Sequence, residues 1–420
     1  MNLVLRDVTL PDGARCALFV TDARLADEPS PGARVIDAGG LIALPGLVDP
    51  HAHLREPGGA GETIASGTAA AARGGYTAIA AMPNTTPACN GPSEVRALMR
   101  LARESRAGAR VVPVGAVTQD RGGRRLADLA GLGRAGVRLF SDDGAAVATA
   151  DLLRHALVTI APLGGTVSDH CQDPRLAGPN AWWPDSLTPD GRAADEVWPA
   201  EAEVSIVKRD VQVAAETGCH VHLAHLSCAE SVEVVRWAKS HRVNVTAEVT
   251  PHHLYFTSDR LAGGDTTFKV NPPLRTTADR DALRDGLVDG TIDMIGTDHA
   301  PHPAAAKDRP WAQASPGLTA LEQALGVVVQ TLVAPGRIGW PDVARLMSTN
   351  PARLLRLHNQ GRHLTPGSPA SLTLIDPGRR AAVAAGDTAS LAANNPYVGL
   401  ELPNPVVLTL WAGRPTYSAL

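Results

Sequence analysis

From about residue 41 the chain alternates apolar, β-rich runs with Ala/Leu-rich stretches of helical period, and eight such runs can be counted: 41–48, 76–82, 111–117, 137–141, 166–170, 220–225, 244–250 and 291–297. Helical patterns lie between most of them, for instance at 62–73, 93–106, 200–217 and 229–241, with more at 318–333 and 341–346. Repeated strand–helix units force a parallel sheet, and eight of them close it on itself, so the expected fold is α/β, a (β/α)₈ TIM barrel. The ends read differently. Short β-branched pieces separated by turn residues, at 3–8, 17–21 and 35–37 and again at 371–375 and 406–411, predict a small β-sandwich-like accessory domain built from both termini. The expected division is residues 1–40 and 362–420 for that accessory domain and 41–361 for the barrel.

Charge and cysteine content narrow what the barrel can do. The 39 basic and 43 acidic side chains leave a formal charge of −4, which offers neither a basic footprint for nucleic acid nor a polybasic membrane signal. Arg6 and Asp7 interrupt the start before a signal-peptide core could form, and no run of about 18 apolar residues occurs, so a cytoplasmic protein is expected. The five cysteines (Cys16, Cys89, Cys171, Cys219 and Cys228) are scattered, with no Cys-x-x-Cys pair. A metal site here would therefore use nitrogen and oxygen ligands.

The chemistry-bearing residues fall at the C-terminal ends of the strand runs, where barrel enzymes build their sites. The first run leads into Asp49-Pro50-His51-Ala52-His53-Leu54-Arg55. Two histidines two residues apart on a strand point to the same side and can hold one metal through their imidazoles. Asp142 and Asp143 follow the fourth run, His170 the fifth, His222 and His225 the sixth, and Asp298 the eighth. Taken singly, each fits a hydrogen-bonded strand end or a turn. Together they supply the imidazoles and carboxylates that a two-metal hydrolytic site requires.

These stretches, with Met82-Pro83-Asn84-Thr85, Ala247-Glu248-Val249-Thr250-Pro251-His252-His253-Leu254, Asn271-Pro272-Pro273-Leu274-Arg275 and Asp293-Met294-Ile295-Gly296-Thr297-Asp298-His299-Ala300-Pro301-His302, resemble the amidohydrolase superfamily and, within it, the class I dihydroorotases. The resemblance spans residues 41–317. It implies two zinc ions per subunit bridged by Asp143 and a hydroxide, with His51, His53 and Asp298 at the first and His170 and His225 at the second. Asp298 is implied as the catalytic base. His53, Arg55, Asn84, Asn271 and His302 are implied to bind substrate, with backbone near Pro316 and Gly317 closing over it. His222, His252, His253 and His299 match motif positions that are not ligands and read as supporting residues. Related cyclic amidases bridge their metals with a carbamylated lysine at the fourth strand end, but the lysines here are Lys208, Lys239, Lys269 and Lys307, none near 137–144. A carboxylate bridge follows, which favours the dihydroorotase pattern. Ser371 and Asn90 depart from residues common in relatives, at positions outside the implied ligand set.

The expected activity is the reversible zinc-dependent cyclisation of N-carbamoyl-L-aspartate to L-dihydroorotate in pyrimidine biosynthesis. Rival readings are another cyclic amidohydrolase, of hydantoinase, dihydropyrimidinase or allantoinase type, and a non-catalytic scaffold for aspartate transcarbamoylase. A homodimer and a transcarbamoylase complex are compatible assemblies; no nucleic-acid or membrane partner is expected. Residues 303–315, broken by Pro310 and lacking a strand pattern, read as a long loop that closes over the site.

Overall fold

Strands β1 (Leu3–Thr9), β2 (Arg15–Thr21), β3 (Arg24–Ala26), β4 (Arg34–Asp37) and β5 (Ile42–Pro45) open the chain. The eight barrel strands follow: β6 (Leu47–Ala52), β7 (Tyr76–Ala81), β8 (Arg110–Gly115), β9 (Leu139–Phe140), β10 (Thr166–Asp169), β11 (Val221–Leu223), β12 (Val245–Val249) and β13 (Met294–Ile295). This computed structural model describes residues 2–177 and 198–420. The barrel strands pair in chain order, all parallel. Closure between the first and last comes from an Ala52–His299 bridge, a 2.9 Å bond from His53 N to the His299 carbonyl, and the Asp49 carboxylate, which accepts from Thr297 N at 2.9 Å and Thr297 Oγ1 at 2.6 Å.

Strands buried on both faces carry unbroken apolar runs, and β7 illustrates it: all six residues of Tyr-Thr-Ala-Ile-Ala-Ala are buried. Its alanines Ala78 and Ala80 face an interior layer with Val48, Val112, Val114, Leu139 and Met294, and Leu354, Leu355 and Leu357 pack into the same layer. Each such Val or Leu contributes about 1.5–3 kcal/mol by leaving water. Outside the barrel, helices start where sequence supplies caps: Thr63 and Ser66 form a capping box on Ile64–Arg73, and Thr276 with Asp279 forms another on Thr277–Asp289. No helix among the described residues is long and apolar enough to cross a membrane.

Two expectations are corrected. The run 41–48 is not one strand: Ile42–Pro45 belongs to the accessory sheet and Leu47–Ala52 to the barrel. Gly46 separates them at a point of close approach, where a Cβ would lie 2.4 Å from the Thr77 side chain. Both halves are fully buried, so apolar composition alone reads them as continuous. The helical run 318–333 begins only at Ala324, because Leu318 extends the strand-eight pairing through a bridge to His299, and it ends in a π turn at Val329–Val333.

The tail contributes β14 (Leu372–Ile375), β15 (Arg380–Ala382), β16 (Glu401–Pro403), β17 (Val406–Trp411) and β18 (Arg414–Ser418). Strand β14 pairs antiparallel with β5 and β17, which merges both chain ends into one mixed eight-stranded sheet with the path β18-β17-β14-β5-β1-β2-β3 and β4 beside β1. Leu3, Leu5, Leu18, Val20, Leu372 and Leu408 build a core there separate from the barrel's.

Candidate metal centre

Alternation along β6 directs His51 and His53 to one side of the barrel mouth, and β9, β10, β11 and β13 deliver Asp143, His170, His225 and Asp298 to the same place. The six residues converge, and all are buried. Asp143 stands at their centre: its Oδ1 lies 3.3 Å from His51 Nε2, 3.5 Å from His170 Nδ1 and 3.7 Å from His225 Nε2, and its Oδ2 lies 3.3 Å from His53 Nε2. Asp298 Oδ1 is 3.0 Å from His53 Nε2 and 3.6 Å from His51 Nε2. His225 and Asp298 hold left-handed backbone angles, φ 31° and 44°, and Arg55 beside them has φ 59°. Such conformations cost about 1–3 kcal/mol each and persist where surroundings enforce them.

This donor set fits a divalent cation. Two triads, His51–Asp143–His225 and His51–His53–Asp298, bring one ligand atom from each residue within 4.8 Å of one another. His51 gives its Nδ1 proton to Glu248 Oε1 at 2.7 Å, His53 gives its own to Asn84 Oδ1 at 2.9 Å, and His170 donates from Nε2 to Gln172 Oε1 at 3.0 Å. In the neutral form that a cation would select, each of these three rings would present its other nitrogen inward, and His51 Nε2 has no hydrogen-bond partner among the described residues. Burial opposes ionisation of Asp143, yet His51, His170 and His225 hold its carboxyl well below the usual range. Burial likewise disfavours charge on His51, but Asp143 and Glu248 raise it well above its ordinary value. Such a cluster attracts positive charge, with nitrogen and carboxylate ligands of the kind zinc takes.

The residues expected at the substrate lie on one flank. Arg55 donates from Nε to the Pro301 carbonyl at 3.0 Å, and its Nη2 is 3.3 Å from His302 Nε2. His302 donates from Nε2 to the Pro316 carbonyl at 2.8 Å, and burial together with Arg55 pushes its pKa down to about 3, so the ring stays neutral. Gly317 N–H is engaged by the Lys269 carbonyl at 2.8 Å. Asn271, whose Oδ1 has no hydrogen-bond partner among the described residues, borders a cleft with Arg121 and Gln172. The segment 303–315 is more structured than its sequence suggests: it contains helical turns at Ala304–Lys307 and Trp311–Gln313, and the buried Lys307 ammonium donates to the Ser315 and Gly317 carbonyls at 2.9 Å each.

Other motif residues resolve into supports. Asp142 turns away from the cluster and accepts from Val117 N and Thr118 N. His222 lies 3.3 Å from Glu248 Oε2, His253 bonds Thr250 Oγ1 at 2.7 Å, and His299 pairs with Glu62 at 3.2 Å. His252 is buried, and neither of its ring nitrogens has a hydrogen-bond partner among the described residues. Asn90 exchanges two bonds with Asp120, and Ser371 Oγ accepts from Ala412 N, so both sequence departures serve local turns.

Glu248 lies within one of the family-like motifs, yet nothing in its local sequence marks it as functional. Its carboxylate holds His51 from behind across 197 residues of chain, and Gly296 leaves room for it, since a Cβ there would lie 2.3 Å from Glu248 Oε2. A carboxylate behind a ligating histidine fixes tautomer and orientation. Glu248→Gln is therefore expected to weaken metal binding by about 10- to 100-fold, read by competition with a chelator of known affinity. Unchanged affinity would reduce Glu248 to a packing residue.

Residues 40–231 match a family model described as dihydro-orotase-like. A dihydroorotase of Leifsonia xyli subsp. xyli is 44% identical over 422 residues, covering 99% of this chain and 96% of that protein. Dihydroorotases of Streptomyces coelicolor (46% over 392 residues, 92% and 90% covered) and Mycobacterium tuberculosis (43% over 432 residues, 99% and 98% covered) are similar throughout. Among solved structures, the L-hydantoinase (dihydropyrimidinase) from Arthrobacter aurescens superposes with a TM-score of 0.89 at 24% identity, covering 99% of this chain and 96% of that one.

Proposed function

The chain belongs to the dihydroorotase family, and we propose that its barrel mouth catalyses the reversible cyclisation of N-carbamoyl-L-aspartate to L-dihydroorotate through two zinc ions held by His51, His53, Asp143, His170, His225 and Asp298. It is a metal-dependent hydrolase of cyclic amides. The observation that carries the finer reading is Asp143, which meets four imidazoles within 3.7 Å at the strand end where a lysine would serve the rival cyclic amidases.

Zinc in such a site lowers the pKa of water towards about 7 and polarises the amide carbonyl. In the hydrolytic direction water adds to the ring carbonyl carbon and the ring C–N bond breaks. Asp298 takes the proton shed by the water and passes it to the departing ring nitrogen. Its carboxyl stays ionised despite burial because His53 and His51 favour the anion, so it is ready to accept. Arg55 faces the substrate carboxylate, while His302, Asn84, Asn271 and the backbone at Pro316–Gly317 complete the pocket; Asn84 also fixes the His53 tautomer. The same path in reverse forms the ring.

The proposal extends to cytoplasmic residence and to a homodimer or a complex with aspartate transcarbamoylase, which size-exclusion with and without that partner would test. For the activity itself, the purified protein is expected to contain two zinc ions per chain and to convert dihydroorotate far faster than dihydrouracil or hydantoin. Equal rates on all three would reassign it to a broader cyclic amidase.

A further inference from the structure

Three parts of the chain meet at Gly317. Its carbonyl accepts from Lys307 Nζ at 2.9 Å and from Asn394 Nδ2 at 3.0 Å, and its N–H donates to the Lys269 carbonyl at 2.8 Å. At φ 131° it also leaves no room for a side chain, since a Cβ would lie 2.7 Å from Ala300 Cβ. Asn394 comes from the tail, between β15 and β16, yet it is only 6% exposed. Besides Gly317, its Nδ2 donates to the Ala300 carbonyl at 3.2 Å, its Oδ1 accepts from His302 N at 3.2 Å, and its own carbonyl accepts from Thr319 N at 3.0 Å. Ala300 and His302 lie on the limb leaving β13; Gly317 and Thr319 lie on the returning limb. One side-chain amide thus spans both limbs of the loop. The tail is anchored nearby as well, where Ser390 Oγ and Leu391 N donate to Glu62, the partner of His299.

We infer that Asn394 is a positioning residue for the substrate site: beyond the backbone bond from Ala300 N to the Leu318 carbonyl at 2.8 Å, it holds the separation of the two limbs at His302 and Gly317 and so sets His302 and Pro316–Gly317 opposite Arg55. The inference rests on the reading of those residues as substrate-holding. His302 owes its ring orientation to a bond across the gap, Nε2 to the Pro316 carbonyl, and Arg55 lies against that same nitrogen. Widening the gap disturbs both contacts. Asp298 precedes the loop and is held by His53, so the metal ligands do not depend on the clamp. The accessory end of the chain thereby governs substrate affinity without touching the chemistry.

Asn394→Asp keeps the shape but replaces the donor with a negative oxygen facing two carbonyls; Asn394→Ala removes the three side-chain bonds without adding charge. In the zinc-loaded enzyme either variant is expected to raise KM for dihydroorotate by about tenfold or more while kcat stays within about threefold, with zinc content unchanged. Amide exchange at His302 should quicken in Asn394→Ala, which removes the acceptor of its N–H, a readout independent of turnover. Unchanged KM with a lowered Tm would make Asn394 mere glue between tail and barrel, and a joint loss of kcat and zinc would place its influence at the metals; either overturns the inference. Should one variant fail to fold, the other carries the test. Should the wild-type protein not act on dihydroorotate, the functional reading fails, while the exchange measurement still decides whether the clamp exists.

Discussion

Asp298→Asn is expected to reduce kcat for dihydroorotate hydrolysis by about 10²- to 10⁴-fold, the usual contribution of a positioned general base. The substitution is close to isosteric, and asparagine tolerates the left-handed backbone that Asp298 adopts at φ 44°, so the fold should survive. An amide retains an oxygen for a ligand role but cannot accept and return a proton at neutral pH. The other five residues of the cluster remain, so at least one metal should stay bound. Turnover and metal content measured on the same preparation separate the two roles. A variant keeping more than about a tenth of wild-type kcat, a barrier change under about 1.4 kcal/mol, would exclude Asp298 as the proton carrier.

The cluster was legible because its six members sit at the ends of five strand runs, His51 and His53 sharing the first, where one barrel rim gathers residues far apart in sequence. His51 and His53 declared themselves by spacing alone. Glu248, Asp49 and Asn394 did not, since nothing local distinguishes them: Glu248 acts on a histidine 197 residues away, Asp49 on Thr297 at a separation of 248, and Asn394 on His302 across 92 residues. Their roles are tertiary hydrogen bonds, which have no periodicity to read. The split of the first strand run was hidden for a different reason. Ile42–Pro45 and Leu47–Ala52 are both wholly buried, one in the accessory sheet and one in the barrel, so a single apolar stretch serves two cores with only Gly46 to mark the change. Buried polar residues at strand ends are thus better guides to the site than to the fold, and apolar runs the reverse.

Selectivity for a carboxylate-bearing ring is expected to depend on Arg55. Its Nε is spent on the Pro301 carbonyl, which aims the guanidinium, and the His302 nitrogen beside it gives its own proton to Pro316 and so makes little use of the Arg55 donors. The η nitrogens are therefore available to a carboxylate as a paired donor. Arg55→Met preserves length and, having a Cβ like arginine, adds no backbone strain at φ 59°. Two charge-assisted bonds at about 1.5–3 kcal/mol each predict a fall in kcat/KM for dihydroorotate of about 10²- to 10⁴-fold. Dihydrouracil, which lacks the carboxylate, should lose little of whatever rate it has. The ratio of the two substrates' kcat/KM values, compared between wild type and variant, is the quantity to measure. If both substrates fall together and zinc is lost, Arg55 braces the β6 loop and the carboxylate is recognised elsewhere; if neither falls by more than tenfold, the substrate assignment of this flank is wrong.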